Sequence, residues 1–230
     1  MIQIDNLGFS YAEGLFRFVL PRLSIGRGEV CCITGPSGYG KTTLLSLIAG
    51  ILVPADGVIQ VDGLNLPELS EKERRQFRLE KIGFVFQDLE LLDYLNVYEN
   101  IGVGRFLDNS RVWNREAIQN YDQHIRELAA RTGIERHLNR HPAQLSRGEK
   151  QRVALCRSLV NSPVLILADE ATGSLDPENR EKTRDLLYGY CRETGATLVE
   201  ASHDRSGLEN FDRIFDLPAI AEILPLEEQP

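Results

Sequence analysis

Residues 35–43 read GPSGYGKTT, glycine-rich and lysine-bearing, straight after the apolar run EVCCIT (29–34). A loop so poor in side chains, closed by a cation at a strand end, suits a polyphosphate. Main-chain N–H groups can turn inward on phosphate oxygens only where side chains stay out of the way. Gly35, Gly40, Lys41 and Thr42 satisfy G-x-x-x-x-G-K-[ST], with Pro36, Ser37 and Gly38 inside the loop and Thr43 after it. In this reading Lys41 is a mobile charge for the β and γ phosphates and Thr42 offers a hydroxyl to Mg²⁺. The helix starting near Lys41 adds the positive end of its dipole. The competing reading is a glycine-rich strand-to-helix turn with no ligand. The context a phosphate loop requires is present, since KTTLLSLIAG (41–50) reads as a helix capped by Gly50.

A phosphate loop calls for acids at the end of a second buried strand. VLILADE (164–170) is a continuous apolar run ending in Asp169 and Glu170. Asp169 suits the Mg²⁺ shell, as an oxygen donor for a hard cation, through water. Glu170 is placed to take a proton from an attacking water. Strand-end acids are often only solvated turn residues; here the adjacent pair and the upstream loop favour a nucleotidase.

The remaining pattern alternates strands and helices. MIQIDNLGFSY (1–11), GVIQVDG (57–63), IGFVFQ (82–87, ending at Gln87) and ATLVEAS (196–202) read as strands. NREAIQNYDQHIRELAARTGI (114–134) sets Ile118, Tyr121, Ile125, Leu128 and Ala129 on one helical face. RGEKQRVALCRSLV (147–160) and RDLLYGYCRET (184–194) are also helical, and the acidic, proline-bearing end reads as loosely ordered. The expected fold is α/β. It forms one domain over 1–230, with a core of 1–87 and 161–217, a helical block of about 88–160 and a tail of 218–230.

The chain carries a net charge of −8 with 42% apolar residues. That balance disfavours broad nucleic-acid or polybasic membrane binding, which rests on clustered Lys and Arg. Cys31, Cys32, Cys156 and Cys191 form no CxxC pair and read as buried apolar residues of a reducing compartment. No signal peptide and no apolar stretch long enough for a bilayer is visible. The expectation is a cytoplasmic protein.

QLSRGEKQRVALCRSLV (144–160) resembles the L-S-G-G-Q signature of the ATP-binding-cassette (ABC) ATPases, and it precedes the acid pair at that family's distance. The resemblance covers nearly the whole chain. It implies a P-loop NTPase core with an antiparallel β subdomain and an inserted helical signature subdomain. It also implies roles for Tyr11 (stacking on adenine), Gln87 (the Q-loop glutamine, linking Mg²⁺ and water to the insert), Asp176 in the D-loop Ser174–Asp176, and His203 (the γ-phosphate switch). By the same resemblance, ATP and Mg²⁺ are the cofactors and the chain forms a homodimer. Each phosphate loop would then face the partner's Ser146, Gly148 and Glu149 across ATP. Ser146 and Gly148 lie at a helix start, as anion binding requires.

Arg147 and Glu149 stand where the signature has Gly and Gln, and Ala171 stands where Pro is frequent. None of these removes a catalytic group, so an active ATPase is expected. LADEATGSLD (167–176), GPSGYGKTTLLSLIAGI (35–51) and LNVYENI (95–101) look most like the lipoprotein-release, macrolide-export and cell-division branch. That branch implies separate integral membrane permease subunits docking near Gln87 and the helical block, around 88–105. The chain would sit at the cytoplasmic face of the inner membrane through those partners, with no nucleic acid bound. The alternative is a non-transport ABC ATPase acting on a nucleic-acid or ribosomal machine.

Overall fold

The computed structural model describes residues 1–11, 16–108, 113–170, 177–203 and 208–225. In chain order the elements are β1 (Ile2–Ser10), β2 (Phe16–Ile25), β3 (Val30–Thr34), α1 (Lys41–Ile48), β4 (Asp56–Val61), β5 (Leu64–Asn65), α2 (Glu71–Lys81) and β6 (Ile82–Val85). There follow α3 (Val97–Ile101), α4 (Val103–Leu107), α5 (Arg115–Arg131), α6 (Arg147–Leu159), β7 (Leu165–Asp169), α7 (Pro177–Thr194), β8 (Thr197–Ser202), β9 (Arg213–Asp216), α8 (Leu217–Ile220) and β10 (Glu222–Pro225).

Two sheets result. One is antiparallel, ordered β10-β2-β1-β4-β5, and the other is parallel, ordered β6-β7-β8-β3-β9. The strand sequences explain the difference. β1 mixes buried and exposed positions, as a sheet with one wet face does, whereas β7 and β8 are buried along their whole length. Helix α1 packs against β7 and β8 on one side and β4 on the other. Its Leu44, Leu45, Leu47 and Ile48 join the inward residues of both sheets in one core. On the opposite face of the parallel sheet, Ile166 and Leu198 meet a second core built from α3, α5, α6 and α7.

This topology places four strand ends together. In a parallel sheet every strand points the same way, so the loops after β3, β6, β7 and β8 emerge at one edge. Those loops carry the phosphate loop, Gln87, Glu170 and His203.

Several local expectations change. Ile118 is exposed at 36%, while Tyr121, Ile125, Leu128 and Ala129 are buried. It sits in the first turn of α5, before the helix reaches the core. β6 ends at Val85 because the chain turns there, with the Leu89 N–H donating to the Phe86 carbonyl at 3.0 Å. The chain end is not loose up to 225: β10 adds to the free edge of β2, from Glu222↔Val19 to Pro225↔Phe16. That edge offers unpaired main-chain groups which a short apolar segment can satisfy. Among the elements not anticipated are strand β2 and helix α2. The latter starts at a capping box in which the Ser70 N–H donates to Glu73 at 2.8 Å and the Glu73 N–H to Ser70 at 3.3 Å. All four cysteines are free and buried, and burial pushes the Cys156 thiol up to about 12.

Candidate functional site

The phosphate loop leaves β3 at Thr34 and reaches α1 through Gly38 and Gly40, both left-handed at φ +79° and +91°. Only glycine takes such angles without strain. A Cβ on Gly40 would also come within 3.0 Å of the Phe18 ring. Gly40 caps α1 without any side-chain bond, so no side chain of its own claims the first N–H groups of the helix. Lys41 is 5% exposed, and its Nζ donates to the carbonyls of Gly35 at 2.8 Å and Pro36 at 3.0 Å. The ammonium is thus held over the loop that Pro36, Ser37 and Gly38 form.

One residue further, the Thr42 hydroxyl bonds the Asp169 carboxylate. Asp169 is 4% exposed. Burial pushes its carboxyl above the usual range, and neighbouring Glu170 adds to this; the Thr42 bond and the Lys41 charge act the other way. Oxygen donors in a buried, negatively charged place are the chemistry a Mg²⁺ ion takes.

Glu170 follows directly, in the left-handed region at φ +47°. A side chain held there costs about 1–2 kcal/mol, so the surrounding bonds must hold it. The Glu170 N–H donates to the Ala201 carbonyl on β8 at 3.0 Å, and Oε1 lies 2.9 Å from His203 Nδ1. Glu170 is largely covered while His203 is half-exposed. The structure therefore joins the acid after β7 to the histidine after β8.

Tyr11 stands beside the loop. Its hydroxyl lies 3.0 Å from Thr43 Oγ1, and its ring meets Phe9 edge-on at 4.9 Å. Phe9, Tyr11, Phe16, Phe18, Gly38 and Thr43 line a pocket of about 200 Å³, apolar and next to the phosphate loop. That combination suits a planar base attached to phosphates.

Gln87 is exposed in the turn after β6, in company with the signature segment. With Asp88, Leu89, Leu145, Arg147 and Lys150 it lines a cleft of about 340 Å³. This cleft and the pocket beside Tyr11 share no lining residue. Ser146 caps α6: its Oγ accepts the Glu149 N–H at 3.3 Å, and its own N–H donates to Glu149 at 2.7 Å. Gly148 lies inside the first turn. Asp176, the rest of Ser174–Asp176 and Ala171 lie outside the described residues.

Arg157 escaped the sequence reading. The Arg157 guanidinium, from α6, donates to the carbonyls of Leu89 and Glu90. Both are left-handed, at φ +63° and +47°. Arg157 thus ties the loop after Gln87 to the signature helix. The only sequence signal was an arginine on the helix face that also carries the apolar Val153 and Val160.

The family model described as "ABC transporter" matches residues 21–173. The ABC transporter ATP-binding protein YtrE of Bacillus subtilis is 40% identical over 182 residues, covering 79% of this chain and 76% of its own length. The lipoprotein-releasing system ATP-binding protein LolD of Bacteroides fragilis is 40% identical over 191 residues, covering 83% and 86%. Among solved structures, the dimeric post-hydrolysis state of the ATP-binding cassette MJ0796 bound to ADP and Pi superposes with a TM-score of 0.82. It is 34% identical and covers 93% of each chain.

Proposed function

We propose, from the premise that this chain belongs to the ABC transporter family and is an ATP-binding, ATP-hydrolysing subunit, that two copies close on two ATP molecules and drive separate membrane subunits. The observation that carries this is that, within one chain, the Tyr11–Thr43 pocket shares no lining residue with the cleft at Leu145 and Arg147, on either side of Ser146. The phosphate-loop side and the signature tip at Ser146 are each half of a nucleotide site. A second copy, turned about a two-fold axis, supplies the missing half twice, as an isologous dimer does. The dimeric MJ0796 cassette supports this arrangement.

Each residue then has a task. Tyr11 and Phe9 receive the base, while the N–H groups from Gly38 to Thr43 and the Lys41 ammonium receive the phosphates. Thr42, Asp169 and Gln87 would hold Mg²⁺, whose charge would offset that of the β and γ phosphate oxygens. Glu170 accepts the proton of the attacking water, and His203 at 2.9 Å fixes its carboxylate toward that position. Ser146, Gly148 and Glu149 of the opposite copy close the site. Binding then joins the copies, and loss of the γ-phosphate releases them.

The membrane subunits would dock in an apolar groove of about 350 Å³ where α2, β6, α4 and α6 meet, lined by Ile51, Arg75, Phe84, Phe86 and Leu107 among others. Tyr94 and Phe106, both exposed, belong to the helical block of 88–160. No helix of the described residues is long and apolar enough to cross a membrane, so membrane attachment in this reading comes from the partners. Residues 88–160 act as the lever between groove and nucleotide. The LolD and YtrE relatives support a transport role, of the lipoprotein-release or export kind, over a nucleic-acid or ribosomal one.

Glu170→Gln tests the reading. Removing the proton acceptor stops phosphate release while every binding contact stays, so Mg·ATP should convert the variant from monomer to dimer on size exclusion. A variant that stays monomeric at saturating ATP refutes the two-copy site.

A further inference from the structure

The two-copy site leaves one carboxylate to be explained. Glu149 lies in the first turn of α6, where Ser146 meets the partner's γ-phosphate, and an unrestrained carboxylate there would repel that phosphate. It is not unrestrained. The Ser146 N–H donates to Oε2 at 2.7 Å, and Oε1 lies 3.0 Å from His137 Nε2. Bonds from Ser146, its hydroxyl first and then its N–H, hold the Glu149 carboxyl below its usual range, with His137 and Arg152 adding to the effect.

His137 is itself rigidly placed. It belongs to a tight turn, Glu135–His137, between α5 and α6. Its N–H donates to the Ile134 carbonyl at 2.8 Å, and its carbonyl accepts the Arg140 N–H at 2.8 Å. The first N–H groups of α3 hold the following residues: Val97 donates to Arg140 at 2.8 Å and Tyr98 to Leu138 at 2.9 Å. His137 Nδ1 is buried without a hydrogen-bond partner. Among the described residues, the directed side-chain contact of the ring is therefore with Glu149.

We propose that His137 is a positioning residue for ATP hydrolysis: through Glu149 it fixes Ser146 at the tip of α6 and keeps the Ser146 hydroxyl free to turn to the partner's γ-phosphate. This rests on the two-copy reading above. When the copies close, the Ser146 hydroxyl proton must leave the Glu149 carboxylate for a phosphate oxygen. An imidazole N–H on Oε1 and the main-chain N–H on Oε2 already satisfy that carboxylate, so its hold on the hydroxyl weakens. The same imidazole draws negative charge away from the approaching phosphate. The turn also hangs from α3, next to the docking groove, so movement there reaches the signature tip through His137.

The test compares His137→Leu, which removes the contact but keeps the bulk, with His137→Arg, which restores a donor to Glu149. In the Glu170→Gln background, His137→Leu should raise the ATP concentration for half-maximal dimerisation about tenfold, the scale of one lost charge-assisted hydrogen bond. With Glu170 intact, kcat should fall by a similar factor. Binding of a fluorescent ATP analogue to the monomer should not change, because the phosphate loop is not touched. His137→Arg should bring both quantities back to within about twofold. Parent-like dimerisation and turnover in His137→Leu would overturn the proposal. So would an early-melting His137→Leu whose defects His137→Arg does not repair, since His137 would then only pack. If Glu170→Gln with His137 intact never dimerises, the two-copy reading itself has failed and this inference falls with it, a result distinct from the other two.

Discussion

Replacing Arg157 with Met keeps an unbranched stem on α6 and removes every donor from the carbonyls of Leu89 and Glu90. The loop it holds is strained. Leu89 and Glu90 both sit at positive φ, each at a cost of about 1–2 kcal/mol. Against this, a hydrogen bond from a charged donor contributes about 1.5–3 kcal/mol, and Arg157 makes one to each residue. The two sums are about 2–4 and 3–6 kcal/mol, so the guanidinium outweighs the strain, and without it the loop keeps only main-chain bonds such as that from the Leu89 N–H to the Phe86 carbonyl. Burial also lowers the Arg157 pKa, which marks a charge kept out of water only by these bonds. The expected loss is therefore local. A shift of about 3 kcal/mol in loop opening corresponds to roughly a hundredfold faster exchange of amides at 87–92. Amides of β7 and β8 should keep their protection. ATP turnover should fall about tenfold, because Gln87 is no longer held beside the signature helix. Hydrogen exchange with mass spectrometry reads the first effect and phosphate release the second. Unchanged exchange at 87–92, or a uniform rise along the chain, refutes the reasoning.

Three further perturbations follow from the same structure. Lys41→Ala removes the ammonium held over the phosphate loop, and ATPase activity should drop at least about 100-fold with the melting temperature little changed; near-normal turnover would mean the loop is not the phosphate site. Gly83→Ala puts a Cβ 2.2 Å from the Ser158 carbonyl, where β6 crosses α6. A cost of about 3 kcal/mol is expected, a fall in melting temperature of about 6–12 °C by calorimetry; no shift would contradict the close approach. Asp169→Asn should stabilise the ligand-free chain at pH 7 while abolishing Mg²⁺-dependent hydrolysis. The sign follows from its raised carboxyl: at low pH both folded and unfolded chains are protonated there and the residue costs nothing. As pH rises from the ordinary carboxylate range through the raised value, the folded chain is increasingly penalised for ionising. The variant's advantage should accordingly vanish in acid. A constant difference across pH would show that burial is not the cause.

The parts of this fold that were legible in the sequence are those whose physics is local. A phosphate loop needs glycine at positive φ, and Gly38 and Gly40 announce it within a few residues. A strand buried on both faces shows as the unbroken apolar run of β7. Helix α2 had an equally local signal, the Ser70–Glu73 capping box, but Phe77 is its single buried residue, so no apolar stripe drew attention to it. β10 was illegible for another reason: what makes 222–225 a strand is the free edge of β2, some 200 positions earlier in the chain. Arg157 and His137 belong to this second kind. Their partners, the carbonyls of Leu89 and Glu90 and the carboxylate of Glu149, are brought to them only by the packing of α6 against β6 and α3.

The costs of the site are not spread over the molecule. Glu170, Leu89 and Glu90 at positive φ, the buried Lys41 that opens α1 and the raised Asp169 carboxyl all lie at one edge of the parallel sheet. Behind that edge, Ile33, Leu167 and Val199 are fully buried on neighbouring or next-but-one strands, and Leu44 and Leu45 of α1 close the layer. A strained residue persists only where its surroundings fix it from several sides, and β7 and β8 fix Glu170 through the Ala201 carbonyl behind it and His203 in front. The signature tip has no such sheet behind it. Ser146 depends on a capping box, one histidine and a turn hung from α3. The half-site that binds the phosphates first is thus the rigid one. In the two-copy reading proposed above, the half-site that arrives from another copy rests on few contacts, one of which, the turn hung from α3, leads through α4 to the groove where a membrane subunit would press.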